Sequence, residues 1–261
     1  PHHVTVGLES DQGTEWIQAD HLLLNACLPP ERVQGDPIGL PIPVQEGSAF
    51  KINMLLKKLP ALKQSVACPE EVFAGTVHLD EGYQGMEKSY LESMNGQCPT
   101  KPPCEIYCHS LTDPSILSPA LQNSGYQTLT LFGLDMPHRL FTDDPEEQRN
   151  LATQRYLDAI NQHLAEPIQD SLAMDADGKP CLSAMSAMDL EEHLRLPKGH
   201  IFHGDLSWPF TDAEEEIGRW GVETQHPRVL VCGSSAKRGG AVSGLPGHNA
   251  AMCLLEKLGR S

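Results

Sequence analysis

The stretch that constrains this chain most lies near its end, where Val229-Leu230-Val231-Cys232 runs straight into Gly233. Four apolar residues in a row, stopped by a glycine, predict a strand buried on both faces of a parallel sheet. The chain then crosses from Ser234 to Pro246, and a helix is predicted from about Gly247 to Leu258. Gly239, Gly240, Gly244 and Gly247 punctuate this crossing and its end. They let backbone N–H groups approach a ligand with no Cβ in the way. The helix carries Ala250, Cys253, Leu254, Lys257 and Leu258 on one face, and Gly259 sits where a C-terminal cap belongs. Strand, glycine turn and helix N-terminus form an anion-binding geometry, because unpaired N–H groups and the positive dipole end converge there. Glycine turns also join strands to helices that bind nothing, so the pattern leaves both readings open.

Upstream, Val4, Val6 and Leu8 alternate with polar residues, Ser10-Asp11-Gln12-Gly13 makes a turn, and a second run extends from Trp16 to Ala26, which is a hairpin signal. A Pro- and Gly-rich crossing follows from Gln34 to Glu46. Strands are predicted over Lys51–Leu56, Phe73–Leu79, Glu105–Ser110 and Tyr126–Leu134. Met86, Tyr90, Leu91 and Met94 share one face of a helix ended by Gly96. The linker Leu111–Gly125 is read as a loop over a cavity. The clearest helix opens at Asp143-Asp144-Pro145-Glu146-Glu147, with a cap, a first-turn proline and two acids against the dipole. Ala152, Tyr156, Ala159, Ile160 and Leu164 supply its apolar face up to Pro167, with a further turn at Ile168, Leu172 and Ala173. A short helix is expected over Met188–Leu194.

The formal net charge of −16 argues against nucleic acid and against anionic membrane surfaces as partners. Lys237-Arg238, inside the glycine crossing, is the basic patch worth naming, either as a solvated turn tip or as charge beside a phosphate. No run approaches the roughly 18 apolar residues of a transmembrane segment. Cysteines scattered through apolar runs behave as small buried hydrophobes and favour a reducing, cytoplasmic setting. Cys98, Cys104, Cys108 and His109 lack the paired C-x2-C spacing of zinc ribbons or fingers, and no metal site is expected there. There is no G-x-S-x-G elbow and no P-loop lysine pattern.

The wording CGSSAKRGGAVSGLPGHNAA resembles the C-terminal flavin-binding signature of the phytoene desaturase-like family of FAD-dependent oxidoreductases. Ser235 and Ala241 stand where that family usually has glycine. The resemblance extends to ADHLLLNACLPP, KINMLLKKLP, EIYCHSLTDPS and the IFHG segment around His203. It implies an α/β fold: a partial Rossmann-like FAD-binding domain from residues 1–34 and 200–261, completed by both chain ends, around an inserted mixed β-sheet plus helix substrate domain at 35–199. It implies FAD as cofactor, held by Gly233, Ser234, Gly239, Gly240, Val242, Ser243, Gly244, Gly247, His248, Asn249 and Asn25. Asn25 has the rival role of closing a turn before Pro29-Pro30, and Asn249 that of capping the helix. His203 is placed to hydrogen-bond flavin or substrate or to take a proton, and Asp205 to orient it, or both simply order their loop.

The substrate implied is a small apolar or amine-like organic molecule, oxidised or desaturated by hydride transfer to flavin. The G-x-G-x-x-G fingerprint that holds the ADP moiety does not occur. The chain is therefore expected to be the C-terminal portion of a longer protein, with the N-terminal FAD-binding half supplied by the same gene or by a partner chain. A non-enzymatic truncated module that binds a partner chain and a flavin amine oxidase are the rival readings. The oligomeric state is left open, a homo-oligomer included.

Overall fold

A computed structural model describes residues 3–26, 45–63, 67–204, 213–238 and 242–260. Asp205, Gly239, Gly240 and Ala241 lie outside the described residues, as do Trp208, Phe210, Pro29-Pro30 and the 34–44 part of the proline-rich crossing. In chain order the elements are β1 (Val4–Ser10), β2 (Gly13–Ala19), β3 (Leu22–Leu24), β4 (Phe50–Leu56), α1 (Pro69–Phe73), β5 (Val77–Leu79), α2 (Tyr83–Met94), β6 (Cys104–Tyr107), α3 (His109–Thr112), α4 (Pro119–Asn123), β7 (Gln127–Gly133), α5 (Pro145–Asn161), α6 (Ile168–Ser171), β8 (Leu182–Met185), α7 (Ala187–Leu194), β9 (Val229–Val231) and α8 (Leu245–Lys257). The chain is mixed α/β and divides into two units, residues 1–45 with 194–261, and residues 46–193.

The unit 46–193 is built on an antiparallel sheet of order β5-β6-β7-β4-β8. Alternation along β4 sends Phe50, Ile52, Met54 and Leu56 to the inner face and Lys51, Asn53 and Leu55 to the other. Leu129 and Leu131 of β7 and Cys104 and Ile106 of β6 extend the inner face. Helix α5 covers it with Ala152, Tyr156, Leu157 and Ile160. Phe50 stacks between Phe141 and Tyr156 at ring-centroid distances of 5.9 and 5.5 Å. α5 starts as its sequence demands, since the Asp144 side chain accepts from the Glu147 N–H at 3.0 Å and Pro145 fills the first turn.

Two local expectations change. The run Phe73–Leu79 is not one strand: Cys68-Pro69-Glu70-Glu71 starts the helical turn α1, with Glu71 accepting from the Cys68 N–H at 3.3 Å, and only Val77–Leu79 pairs with β6. The segment 111–125 is largely helical. Asp113 accepts from Ser115 N at 3.0 Å and Ser118 from Leu121 N at 3.4 Å, each ahead of a proline that opens a short helical turn. The helix that carries Met86, Tyr90, Leu91 and Met94 forms as expected as α2, and these four are exposed while Ser89 and Ser93 are its buried positions. The small serines let that helix lie close to its unit, and the apolar stripe is left outside.

In the unit formed by 1–45 and 194–261, β1 and β2 make the hairpin expected from the alternation, in register from Val4↔Ala19 to Ser10↔Gly13. β3 runs parallel to β9, with Leu22 opposite Val229 and Leu24 opposite Val231. Val229, Leu230 and Val231 are all fully buried, as a strand covered on both faces must be. Leu230 and Val231 cluster with Val222, Ala236, Ala250 and Cys253.

Candidate functional site

β9 delivers the glycine turn. Cys232 N donates to Leu24 O at 2.9 Å, which extends the β3–β9 pairing past the last strand residue and sets Asn25 beside Gly233. A Cβ at Gly233 would overlap the Asn25 Oδ1, so glycine is what allows this amide to turn over the strand end. On its other side β9 is flanked by the segment 220–223: Val231 N donates to Val222 O at 2.8 Å, and Glu223 bridges to Leu230. Beyond Gly233 the chain turns inward, Ser234 half-buried and Ser235 and Ala236 buried. Ala236 N donates back to Gly233 O at 3.0 Å.

Lys237 and Arg238 do not form a purely solvated turn tip. Lys237 pairs with Glu216, and the Arg238 guanidinium donates to Glu216 O at 2.8 Å and Arg219 O at 2.5 Å. Both side chains thus fasten the turn to the 216–221 segment. Glu223 fastens the same segment from within, accepting from Trp220 N at 3.1 Å and Val222 N at 3.0 Å. Burial pushes its carboxyl up, but the N–H groups of Glu223, Trp220 and Val222 and the Arg219 charge outweigh that and hold it below the usual carboxylate value.

Helix α8 begins at Gly244, whose φ of +74° is left-handed. Ser243 Oγ accepts from Leu245 N at 3.3 Å, and Val242 just before it is fully exposed. Among the described residues, a Cβ at Gly244 would meet nothing within 4 Å, and one at Gly247 would meet Cys232 O at 3.8 Å and no other atom. Among the described residues, the start of α8 is therefore open and glycine-surfaced at the N–H end of its helix dipole. His248 is exposed beside it, its ring edge-on to Trp220 at 6.3 Å. Asn249 is engaged elsewhere: Nδ2 donates to Trp220 O at 3.1 Å. Trp220 Nε1 in turn donates to Glu256 at 2.9 Å, so Trp220 ties both ends of α8 to the strand layer.

His203 sits on the loop after the helical turn Pro197–Gly199, in the same unit. Its φ of +64° is strained for a residue with a Cβ. Its N–H donates to His200 O at 2.8 Å, and His200 Nδ1 accepts from Phe202 N at 3.1 Å. Burial and then the charge of His200 push the His203 imidazole below its usual value of 6.5, which favours the neutral ring.

The structure thus joins Asn25 with Gly233, and gathers Ser243, Gly244, Gly247, His248 and Asn249 at the start of α8. Trp220, Glu223 and Glu216, which position this turn, carry no sequence motif. In the other unit, the outer face of the sheet forms a hollow of about 530 Å3 lined by Asn53, Leu55, His109, Ile116, Thr128, Thr130 and Cys181, among others. No helix among the described residues is long and apolar enough to cross a membrane.

No family model matches the chain. It is similar to uncharacterised proteins of Mycobacterium tuberculosis and Mycobacterium bovis, at 46% identity over 225 residues, which is 85% of this chain and 41% of theirs. It is also similar, at 27% and 25% identity over 217 residues, to the pyridine nucleotide-disulfide oxidoreductase domain-containing protein 2 of mouse and rat. That match takes in 80% of this chain and 35% of theirs. The chain is a distant homologue of oxidoreductase-domain proteins and spans about two fifths or less of the length of these relatives.

Proposed function

We propose that this chain contributes a flavin-contacting turn and a substrate-facing sheet to an FAD-dependent oxidoreductase of the phytoene desaturase-like kind. The observation that carries this reading is the run from buried β9 through Gly233 to the open start of α8. Two glycines leave room there for a planar ring system, and the helix dipole favours negative charge. FAD, when bound, supplies hydride acceptance, which needs no protein nucleophile. The chain's own residues have the remaining tasks. The amides at the start of α8 favour negative charge at a reduced ring, Asn25 and His248 border the same turn with polar groups, and Glu223 with Trp220 keeps the turn rigid.

His203, whose imidazole burial and the charge of His200 hold below its usual value, is suited to hydrogen-bond an amine-like substrate or to take a proton from an activated C–H. The hollow on the outer sheet face of the unit 46–193 offers mixed apolar and hydroxyl groups, which suits a small organic substrate rather than a polyanion. Distant similarity to oxidoreductase-domain proteins of mouse and rat supports the redox class. The ADP end of the cofactor is assigned to an N-terminal FAD-binding half, in the same polypeptide or a partner.

The test is the visible absorption spectrum of the purified chain mixed with FAD, for the natural sequence and for Gly247→Leu. The expected result is a shifted, resolved flavin spectrum that the leucine abolishes. FAD bound equally by both proteins would refute the assignment of this turn.

A further inference from the structure

In the unit 46–193, the edge strand β5 carries a second constellation that the flavin reading does not use. His78 and Glu105 are direct register partners across the β5–β6 ladder, so their side chains leave the sheet on the same face. Immediately after β5, Asp80 takes a left-handed φ of +55° and turns Glu81 back over the strand. His78 Nδ1 then lies 2.5 Å from Glu81 Oε2 and 3.9 Å from Glu105 Oε1. One ligand atom from each of the three residues falls within 4.8 Å of the others, the arrangement among the described residues that could share a cation. Cys98, Cys104, Cys108 and His109 make no such group among them.

Two further features point to a ligand. The second oxygen of Glu81, Oε1, is buried with no hydrogen-bond partner among the described residues, an arrangement that is costly for a carboxylate unless something compensates it. No lysine or arginine among the described residues forms an ion pair with Glu81 or Glu105, so two carboxylates share one imidazole without fixed positive charge. The Tyr107 hydroxyl donates to Glu105 Oε2, the kind of outer contact that orients a metal-binding carboxylate.

We propose that His78, Glu81 and Glu105 bind a zinc-type divalent cation that fastens β5 and the turn into α2 onto β6. An imidazole with two carboxylates suits a transition-metal ion better than magnesium, which demands near-ideal octahedral oxygen ligation. Metal bonds of about 2.0–2.2 Å set donor atoms roughly 3.3 Å apart in a tetrahedral site. The His78–Glu81 and His78–Glu105 separations of 2.5 and 3.9 Å lie on either side of that spacing. Three protein ligands leave one position for water.

The test is calorimetric titration of the full, chelator-treated chain with Zn2+, for the natural sequence, His78→Ala and Glu81→Gln, with circular dichroism checking that each variant is folded. Two variants of exposed or half-buried positions guard against one failing to fold. The expected result is one equivalent of Zn2+ bound by the natural chain and lost, or weakened at least tenfold, in both variants. The Co2+ form should show ligand-field bands without a thiolate charge-transfer band. No Zn2+ uptake, equal uptake by all three proteins, or a thiolate band from Co2+ bound at the cysteines would overturn the proposal.

Discussion

Gly133→Ala places one methyl group where the core has no room for it. Gly133 closes β7 with an ordinary strand backbone, so alanine meets no φ penalty there. Its Cβ, however, would overlap the ring and hydroxyl of Tyr156, which is fully buried on α5 and stacked on Phe50. Relief requires the ring to shift, and the ring is fixed by that stacking and by the bond from its hydroxyl to Leu134 O at 2.8 Å. Overpacking of this kind costs about 1–3 kcal/mol, and losing the hydrogen bond adds roughly 1 kcal/mol. The sum, about 2–4 kcal/mol, lowers the melting temperature by roughly 4–16 °C for a unit of this size. Near-ultraviolet circular dichroism reports it, because the signal follows the packed Tyr156 and Phe50 rings. In the Tyr156→Leu background the same alanine should cost much less, since the clashing atoms are gone. An unchanged melting temperature for Gly133→Ala, or an equal cost in both backgrounds, would refute the packing argument.

Two further outcomes follow from the other unit. Glu223→Gln removes the charge that accepts from Trp220 and Val222 N–H, costing about 1 kcal/mol near neutral pH once solvent screening is allowed for. A carboxyl held below its usual 4.5 stabilises the fold above that pH and ceases to as pH falls through its folded value, so denaturation curves of the two proteins should converge in acid. A difference that persists there would contradict the assignment. For His203, an NMR titration should give a midpoint below 6.5, rising when His200 is replaced by alanine. The unfolded imidazole takes up its proton at higher pH than the folded one, so this site costs stability as pH falls below 6.5. A midpoint at or above that value would show that burial does not act on it as described.

The parts of the fold legible in the sequence are those in which one local pattern decides the outcome. Asp144-Pro145 with two acids marks the start of α5, and the unbroken Val229–Val231 run marks a strand covered on both sides. The α2 helix was legible too, but periodicity shows which residues share a face and not which face is buried. Ser89 and Ser93 win by being small. Segment 111–125 carried readable signals in Asp113-Pro114 and Ser118-Pro119, each a cap followed by a first-turn proline, although the turns are too short for hydrophobic periodicity. The glycine turn was legible, but its supports were not. Glu216, Trp220 and Glu223 act through backbone atoms brought close by the fold, and no spacing announces them. Likewise His78 and Glu105 are far apart in sequence and meet only because β5 and β6 pair in one register.

The central claim is that FAD lies against Gly233 and the first turn of α8. Hydrogen exchange of the backbone amides, measured with and without FAD, tests it most directly. The account predicts slower exchange on adding FAD at residues 233–234 and 244–249, with the α5 amides unchanged. FAD that binds the protein yet leaves exchange in that turn untouched would contradict it.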